Sequence, residues 1–463
     1  MNLVWLRRDL RIQDHPALAK ALEDNTCKAQ ILYIATEKQW KKHNESDISI
    51  EFRKRRVNQL AIESGSIGIK FEKTSCETFK NIPELLLNYC MKNKFRNVYF
   101  LKETPFDETQ RDEDVISTLT QHSIEVHALD YDLIVSQPVL SQNYQPYKVF
   151  TPYYKKWLTM IENPKQWLKY KIRKSLKPIT NAIPFETDVK FDSKLSNWQI
   201  SSYEIHQKLE NFCNNKIENY QQDRDYPALN STSMLSPYLS FGMLGPRQCL
   251  NIIKKTYDKK NKDWKQDFWL RELSWRDFYR QIMIHFPHVS KNKNFNRTIN
   301  VHWDYRPDLI EKWQNGETGF PIIDAAMRQL KETGWMHNRL RMIVAVFFTK
   351  ILFQDWRVGE KWFMENLVDG EFAANNGGWQ WSASTGCDAV PYFRIFNPYL
   401  QSQKFDSEGT YIRRYVPELM NLSNKEIHNP TKSSRKICHY PEEIVDYKSA
   451  KNRTIHLFKQ SAT

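Results

Sequence analysis

The chain has 463 residues, 68 Lys+Arg against 54 Asp+Glu for a formal charge of +14, and 15 Trp. The length predicts two or three domains with a sizeable core, and 40% hydrophobic with 26% charged residues excludes a disordered chain. No apolar run approaches about 18 residues, which excludes a membrane span, and MNLVWLRRDLR lacks the small-residue cleavage site of a signal peptide. Cys27, Cys76, Cys90, Cys213, Cys249, Cys387 and Cys438 are scattered, with no CxxC or Cys/His cluster. They argue for reduced thiols and against structural zinc or iron–sulfur clusters. A basic, Trp-rich chain suits a polyanionic partner and an aromatic site, although solubility and core packing explain the same totals.

Residues 1–130 alternate short apolar runs with amphipathic stretches at 50–64 and 82–93. The runs are LVWL (3–6), AQILYIA (29–35), IGIKF (67–71), NVYFL (97–101) and IEVHAL (124–129). This rhythm predicts an α/β domain with a parallel, Rossmann-like sheet, yet RRDLRIQDHPAL stands where a dinucleotide fingerprint would place GxGxxG. Across 131–200 strand signals fade and Pro, Lys, Asn and Gln accumulate, which predicts a long connector with some helix and exposed loop. Over 201–463 helical periodicity dominates, clearest at 266–284, 321–332, 335–352 and 357–367, and predicts an all-α second domain.

Four segments concentrate chemistry. In STSMLSPYLSFG (231–242), Ser236 before Pro237 predicts a capped helix start, with Thr232 and Ser233 adding hydroxyls. Free backbone N–H groups there suit an anion, but a plain capped helix has the same signature. In FWLRELSWRDFYR (268–280), Trp269, Glu272, Arg276 and Tyr279 share a helix face beside Trp275. That face is either an amphipathic surface with a Glu272–Arg276 pair or one that stacks a base and bonds its edge. In GWMHNRLRM (334–342), Trp335, Asn338 and Met342 share a face, and Asn338 interrupts an apolar stripe. A buried amide left unpaired there costs about 1–3 kcal/mol, so the stripe predicts a satisfied core amide or a ligand contact. The His residues show no ligand spacing and predict no metal. In LVDGEFAANNGGWQWSASTG (367–386), Asp369 and Glu371 lie near a predicted turn, and Asn375-Asn376-Gly377-Gly378 tolerates left-handed backbone. Trp379 and Trp381 follow.

Together with LVWLRRDLR (3–11), YIATEKQWKKHN (33–44), RDYPALNSTSMLSPYLSFG (224–242) and WQNGETGFPIIDAAMRQLKETGWMHNRLRM (313–342), these segments resemble the photolyase/cryptochrome flavoprotein family over essentially the whole chain. Within it the chain is similar to the bacterial class I photolyases of cyclobutane pyrimidine dimers (CPDs) that use a folate antenna. The resemblance implies an α/β antenna domain and a helical domain holding U-shaped FAD. FAD contacts would be Tyr220, Thr232, Ser233, Met234, Leu235, Ser236, Trp269, Asn338, Arg341, Asp369, Glu371 and Asn375. Met234 stands where the family carries Arg; Arg341 would pair with Asp369 beside the isoalloxazine, and Asn375 would face flavin N5. The lesion pocket would be Glu272, Trp275, Asn338, Met342 and Trp381, with Glu272, Asn338 and Met342 closest to the chemistry. Arg224, Arg276, Arg339 and Arg394 would contact DNA phosphates, and Trp379, Trp356 and Trp303 would form an electron relay. His43, Asp107, Glu108 and Lys291 match the contacts of a 5,10-methenyltetrahydrofolate antenna, with Asp107 where the family usually has Asn. A deazaflavin antenna, or none, is the alternative.

The implied reaction is light-driven electron transfer from FADH⁻ to a dimer flipped out of double-stranded DNA, by a cytoplasmic, nucleoid-associated monomer without membrane contact. Rival readings are a (6-4) photolyase, which would carry His in place of Asn338, and a DASH-type cryptochrome, which usually lacks Trp381. A signalling cryptochrome would add a long tail and alter Asn375. A basic DNA-binding structural protein would leave the 369–381 segment and the Trp trio unexplained.

Overall fold

The computed structural model describes residues 1–23, 28–163, 170, 172 and 177–460. Cys27 and most of the basic stretch at 164–176, predicted as connector, lie outside them. The chain forms two compact units, one of Met1–Glu218, Ser233–Ser290 and Asp369–Ala373, the other of Asn219–Thr232, Lys291–Val368 and Ala374–Thr463.

The first unit is built on five parallel strands, β1 (Asn2–Leu6), β2 (Ala29–Ala35), β3 (Lys70–Ser75), β4 (Asn97–Leu101) and β5 (Glu125–Leu129), in the order β3-β2-β1-β4-β5. Val4 lies opposite Ile31 on one side and Tyr99 on the other. Every residue of β1 and β2 is buried, as befits central strands covered on both faces. Four of the five apolar runs fall on these strands. The IGIKF run is displaced: Gly68 at φ 76 ends the Asp47–Ser66 helix, with Gly68 N–H donating to the Gly65 carbonyl at 2.9 Å. Only a residue without Cβ takes that left-handed turn cheaply, so the strand starts at Lys70.

The strand order reverses between β1 and β4, the topological switch point where open α/β sheets usually take ligands. Here Trp5, Arg7, Arg53 and Arg111 fill that crevice and leave about 30 Å³, room for about one water. Arg7 donates to Asp112 at 3.0 Å, Arg111 donates to Glu103 at 2.7 Å, and the Arg7 guanidinium lies 4.2 Å from the centre of the Trp5 ring.

In the second unit, helices Pro307–Asn315, Pro321–Thr333, Asn338–Val346 and Trp356–Asn366 pack around Trp313, Phe320, Met327, Leu340, Phe348, Trp356 and Trp379. Pro307 and Pro321 open their helices, while Gly316 and Gly334 close them in left-handed conformation. One expectation is corrected. The predicted 335–352 helix starts three residues later, at Asn338, because the His337 side chain caps it by accepting the Arg339 N–H at 3.2 Å; a π turn, Phe347–Ile351, follows Val346. Asn375–Gly378, which the sequence reads as tolerant of left-handed backbone, is the middle of a helix, Phe372–Ser382. Neither Gly377 nor Gly378 has positive φ. Their value is the missing side chain: a Cβ on Gly378 would meet nothing within 4 Å, so this helix face opens onto free space.

Among the described residues no helix is long and apolar enough to cross a membrane, and no group of three or more His, Cys, Asp or Glu side chains could hold a metal ion.

A Cβ added to Gly359 would stand 2.2 Å from the Trp379 ring. Gly359→Ala is therefore expected to destabilise the chain by about 1–3 kcal/mol through overpacking. Urea unfolding measures this, and a loss below about 0.5 kcal/mol would contradict the close approach.

Candidate functional site

The Phe268–His285 helix begins at Asp267, whose side chain accepts the Leu270 N–H at 2.6 Å. One face, Leu270, Leu273, Ser274, Asp277 and Phe278, is buried at 0–3% exposure. The opposite stripe, Glu272, Trp275, Arg276 and Tyr279, stays half-buried, while Trp269 is buried edge-on against Phe212 at 5.0 Å. Trp275 stacks on Phe150 with ring centres 3.6 Å apart and planes 8° from parallel. Arg276 turns inward: its Nη1 donates to the Asp132 carbonyl at 2.9 Å, and its side chain is only 12% exposed. Burial, with Arg280 nearby, pulls its guanidinium down to about 10.

The 232–236 run is shaped by its backbone rather than by a cap. Leu235, not Ser236 as predicted, occupies the capping position, and the Ser236–Ser240 helix is a single turn and a half. Met234 adopts the left-handed conformation at φ 49 and Leu235 the right-handed one at φ −99, ψ −1. Successive residues of opposite hand turn their N–H groups into one concavity, a geometry that receives anions. In the same unit Gly370 is held by Arg8 Nη2 at 2.9 Å and Ser240 Oγ at 3.3 Å, and Glu371 pairs with Arg280 at 3.3 Å. These bonds bring the 369–371 acids towards the 236–240 turn.

His43 contacts two acids, Asp107 at 3.1 Å and Glu108 at 3.5 Å. Burial disfavours its charge, but hydrogen bonds and attraction from Glu108 and Asp107 outweigh it and raise the imidazole to about 9.

In the second unit Asn338 is exposed at the first position of its helix, not buried in the apolar stripe that the spacing predicts. The stripe is carried by Leu340, Ile343 and Val344 instead. Met342 is half-buried with Arg339 Nη1 3.9 Å from its sulfur. Arg339 donates to Asp225 at 2.7 Å and lies 4.6 Å from the Phe405 ring centre; Arg224 sits 3.7 Å from the same Asp225 and 5.6 Å from the Tyr220 ring centre. Arg341 Nε donates to the Met336 carbonyl at 2.9 Å. Thr232, Lys291 and Trp381 also belong to this unit, and Arg394 is exposed.

Asn375 Nδ2 donates to the Glu360 backbone carbonyl at 2.9 Å, which leaves its amide oxygen as an acceptor. Asn376 Nδ2 donates to the Glu360 carboxyl at 2.8 Å, and Gln380 donates to Asn376 at 2.9 Å. Trp379 lies edge-on to Phe363 at 5.0 Å; Trp356 is fully buried; Trp303 is half-buried and packs 5.1 Å from Phe353. The first unit offers an anion-receiving turn at Met234–Leu235; the second, taken by itself, offers the Asn375 amide oxygen and open space beside Gly378.

Sequence reasoning missed Phe150, Asp225, Glu360 and Arg357. Phe150 opens the Phe150–Ile161 helix inside the predicted connector, and its only signal was the aromatic spacing of VFTPYYKKW. Glu360 stands among Arg357, Lys361 and Glu365 in its helix and carries no sequence signal; its burial shows only in the fold.

Comparison with known proteins gives two family matches, one described as "DNA photolyase" over residues 2–169 and one as "FAD binding domain of DNA photolyase" over residues 269–460. The deoxyribodipyrimidine photo-lyases of Salmonella typhimurium and Escherichia coli are each 38% identical over 471 residues, spanning 99% of this chain and 98% of theirs. The crystal structure of a bacterial class III photolyase from Agrobacterium tumefaciens superposes with a TM-score of 0.89 at 29% identity, over 99% of this chain and 97% of that one.

Glu360 provides a titration test. Burial pushes its carboxyl from 4.5 up to about 7. In that window the folded chain keeps a proton that the unfolded chain has released, so stability falls as pH rises. His337 acts oppositely, since burial pulls it from 6.5 down to about 4 and stability rises with pH across that span. The expected outcome is therefore a difference. Glu360→Gln still accepts from Asn376, and should gain on the parent by on the order of 3 kcal/mol between pH 4.5 and 8 in denaturant melts. Parallel pH curves would contradict it.

Proposed function

The chain belongs to the DNA photolyase family, and from that premise we propose that it is a deoxyribodipyrimidine photo-lyase, splitting cyclobutane pyrimidine dimers in double-stranded DNA under light. The observation that carries the reading is the match of the whole chain to enzymes of that name. It binds FAD. Bound, reduced FAD supplies the light-released electron that opens the cyclobutane ring and takes it back afterwards.

The side chains bind, orient and tune. The Met234–Leu235 turn, with Ser233 and Ser236, receives the pyrophosphate, and Tyr220 and Thr232 contact FAD as well. Arg341 supplies positive charge, which favours an anionic reduced isoalloxazine, with Asp369 and Glu371 as the acids of the same site. Asn375 would present its amide oxygen to flavin N5 as an acceptor, because its amide nitrogen is already given to Glu360. An acid there would favour a different protonation state.

Glu272 hydrogen-bonds the dimer, Trp275 and Trp381 pack against its two pyrimidines, and Asn338 and Met342 complete the pocket. A dimer stacks and pairs poorly, so flipping it out costs less than flipping normal bases. Trp275 enters this role already braced by Phe150, which limits the freedom it loses on stacking. Arg224, Arg339 and Arg394 meet phosphates and make binding salt-sensitive, while Arg276, tethered to Asp132, adds charge from behind. Trp303, Trp356 and Trp379 pass electrons inward to restore an oxidised flavin.

His43, Asp107, Glu108 and Lys291 hold 5,10-methenyltetrahydrofolate as antenna. The close approach of His43 to Asp107 and Glu108 supports this site. The enzyme acts as a monomer in the cytoplasm, at the nucleoid.

The test is illumination of the purified, reduced holoenzyme with dimer-containing duplex. Thymines should be restored under near-UV or blue light and not in the dark; no restoration would favour a light receptor instead. Glu272→Ala should cut repair per absorbed photon several-fold while the protein stays yellow, and loss of colour would contradict a role confined to the lesion.

A further inference from the structure

The Trp356–Asn366 helix starts at an ion pair. Asp355 caps it by accepting the Arg357 N–H at 3.0 Å, and its carboxylate also accepts from Arg357 Nη1 at 3.0 and 3.2 Å. Arg357 Nε donates to the Asn292 carbonyl at 2.8 Å and Nη2 to Asn294 Oδ1 at 3.1 Å. The same Asn294 oxygen accepts the Trp356 indole N–H at 3.2 Å. These bonds fix the guanidinium 4.7 Å from the centre of the Trp356 ring. Trp356 is fully buried, whereas the side chains of Arg357 and Asp355 are each 33% exposed. Of Trp303, Trp356 and Trp379, only Trp356 has a cation over its ring among the described residues.

A guanidinium over a neutral indole is attracted to the ring's electron-rich face. The same guanidinium repels an indole that has lost an electron, and burial of that indole limits the screening. The placement therefore stabilises Trp356 as a neutral ring and penalises it as a hole.

We propose that Arg357, offset by Asp355, makes the middle tryptophan the least favoured resting place for the hole, so that the hole settles on Trp303 instead of returning. The inference rests on the relay assigned under Proposed function. With light-excited, oxidised FAD as the acceptor of one electron from Trp379, Trp356 would refill Trp379 and Trp303 would refill Trp356. Trp303, one electron short, releases its indole N–H proton to water, and a thiol in solution restores the electron and proton. Along this relay charge returns by way of Trp356, so the return rate scales with the fraction of holes found there. Arg357 is a positioning and tuning residue in this scheme and touches no substrate.

The test is flash excitation of oxidised holoprotein without and with dithiothreitol, following charge return by transient absorption and the location of the unpaired electron by time-resolved EPR. Arg357→Gln should speed charge return about tenfold, lower the thiol-dependent photoreduction yield and increase the spin found on Trp356. Asp355→Asn, which can still cap the helix, should act oppositely and slow charge return. Arg357→Lys, which keeps the charge but loses the fork, should stay near the parent. If Gln and Lys variants shift alike, the effect is structural and the proposal fails; near-UV circular dichroism of the apoproteins checks the fold independently. Trp303→Phe separates the two readings. If it leaves photoreduction unchanged, the relay is wrong and this inference falls with it. If it blocks photoreduction while Arg357→Gln changes nothing, only the inference falls.

Discussion

Trp379 faces a position on the neighbouring helix that has no side chain. Any Cβ on Gly359 would overlap its ring, so the Trp356–Asn366 and Phe372–Ser382 helices can approach only because glycine stands there. Much of the second unit's polar architecture follows from that approach. The Glu360 carbonyl comes within reach of Asn375, and its carboxyl within reach of Asn376. Phe363 on the first helix meets the edge of Trp379 on the second. A side chain at Gly359 would separate the helices, and the amide of Asn375 would lose the partner that decides which of its two ends points outward.

How far the sequence was legible depended on whether a signal was local. β1, β2, β4 and β5 were readable because buried parallel strands are continuous apolar runs, and β3 was misplaced because IGI also suits a helix terminus closed by Gly68. Asn375–Gly378 is helical although glycine and asparagine tolerate left-handed backbone and disfavour helix by propensity. In the fold they are chosen for what they leave empty, and tertiary packing carries the roughly 1 kcal/mol that each helical glycine costs. Asn338 was expected among apolar neighbours, but His337 caps the helix just before it and leaves it exposed. The candidate residues on one helix face, such as Glu272 and Trp275, were legible from spacing. Phe150 behind Trp275, and Asp225 holding Arg339, were not, because they meet their partners across more than a hundred residues of sequence.

The basic composition also reads differently. Arg7, Arg53, Arg56, Arg111 and Arg435 are buried at 8% exposure or less, each against a carboxylate, and several lie on aromatic faces. These arginines are internal, matched by acids, and say nothing about polyanions. The excess that can meet a phosphate backbone resides in less buried groups such as Arg394, and in lysines of the surface.

The packed crevice at the β1/β4 switch point bears on how such a chain can change over time. Glu103 and Asp112 are each shared by Arg7 and Arg111. Deleting either arginine would leave two carboxylates crowded on one cation in a dry interior, a loss on the order of 3–5 kcal/mol for each charge left unpaired. Shortening either arginine therefore opens this crevice only at a large cost in stability, and the place is held shut by charge as well as by packing.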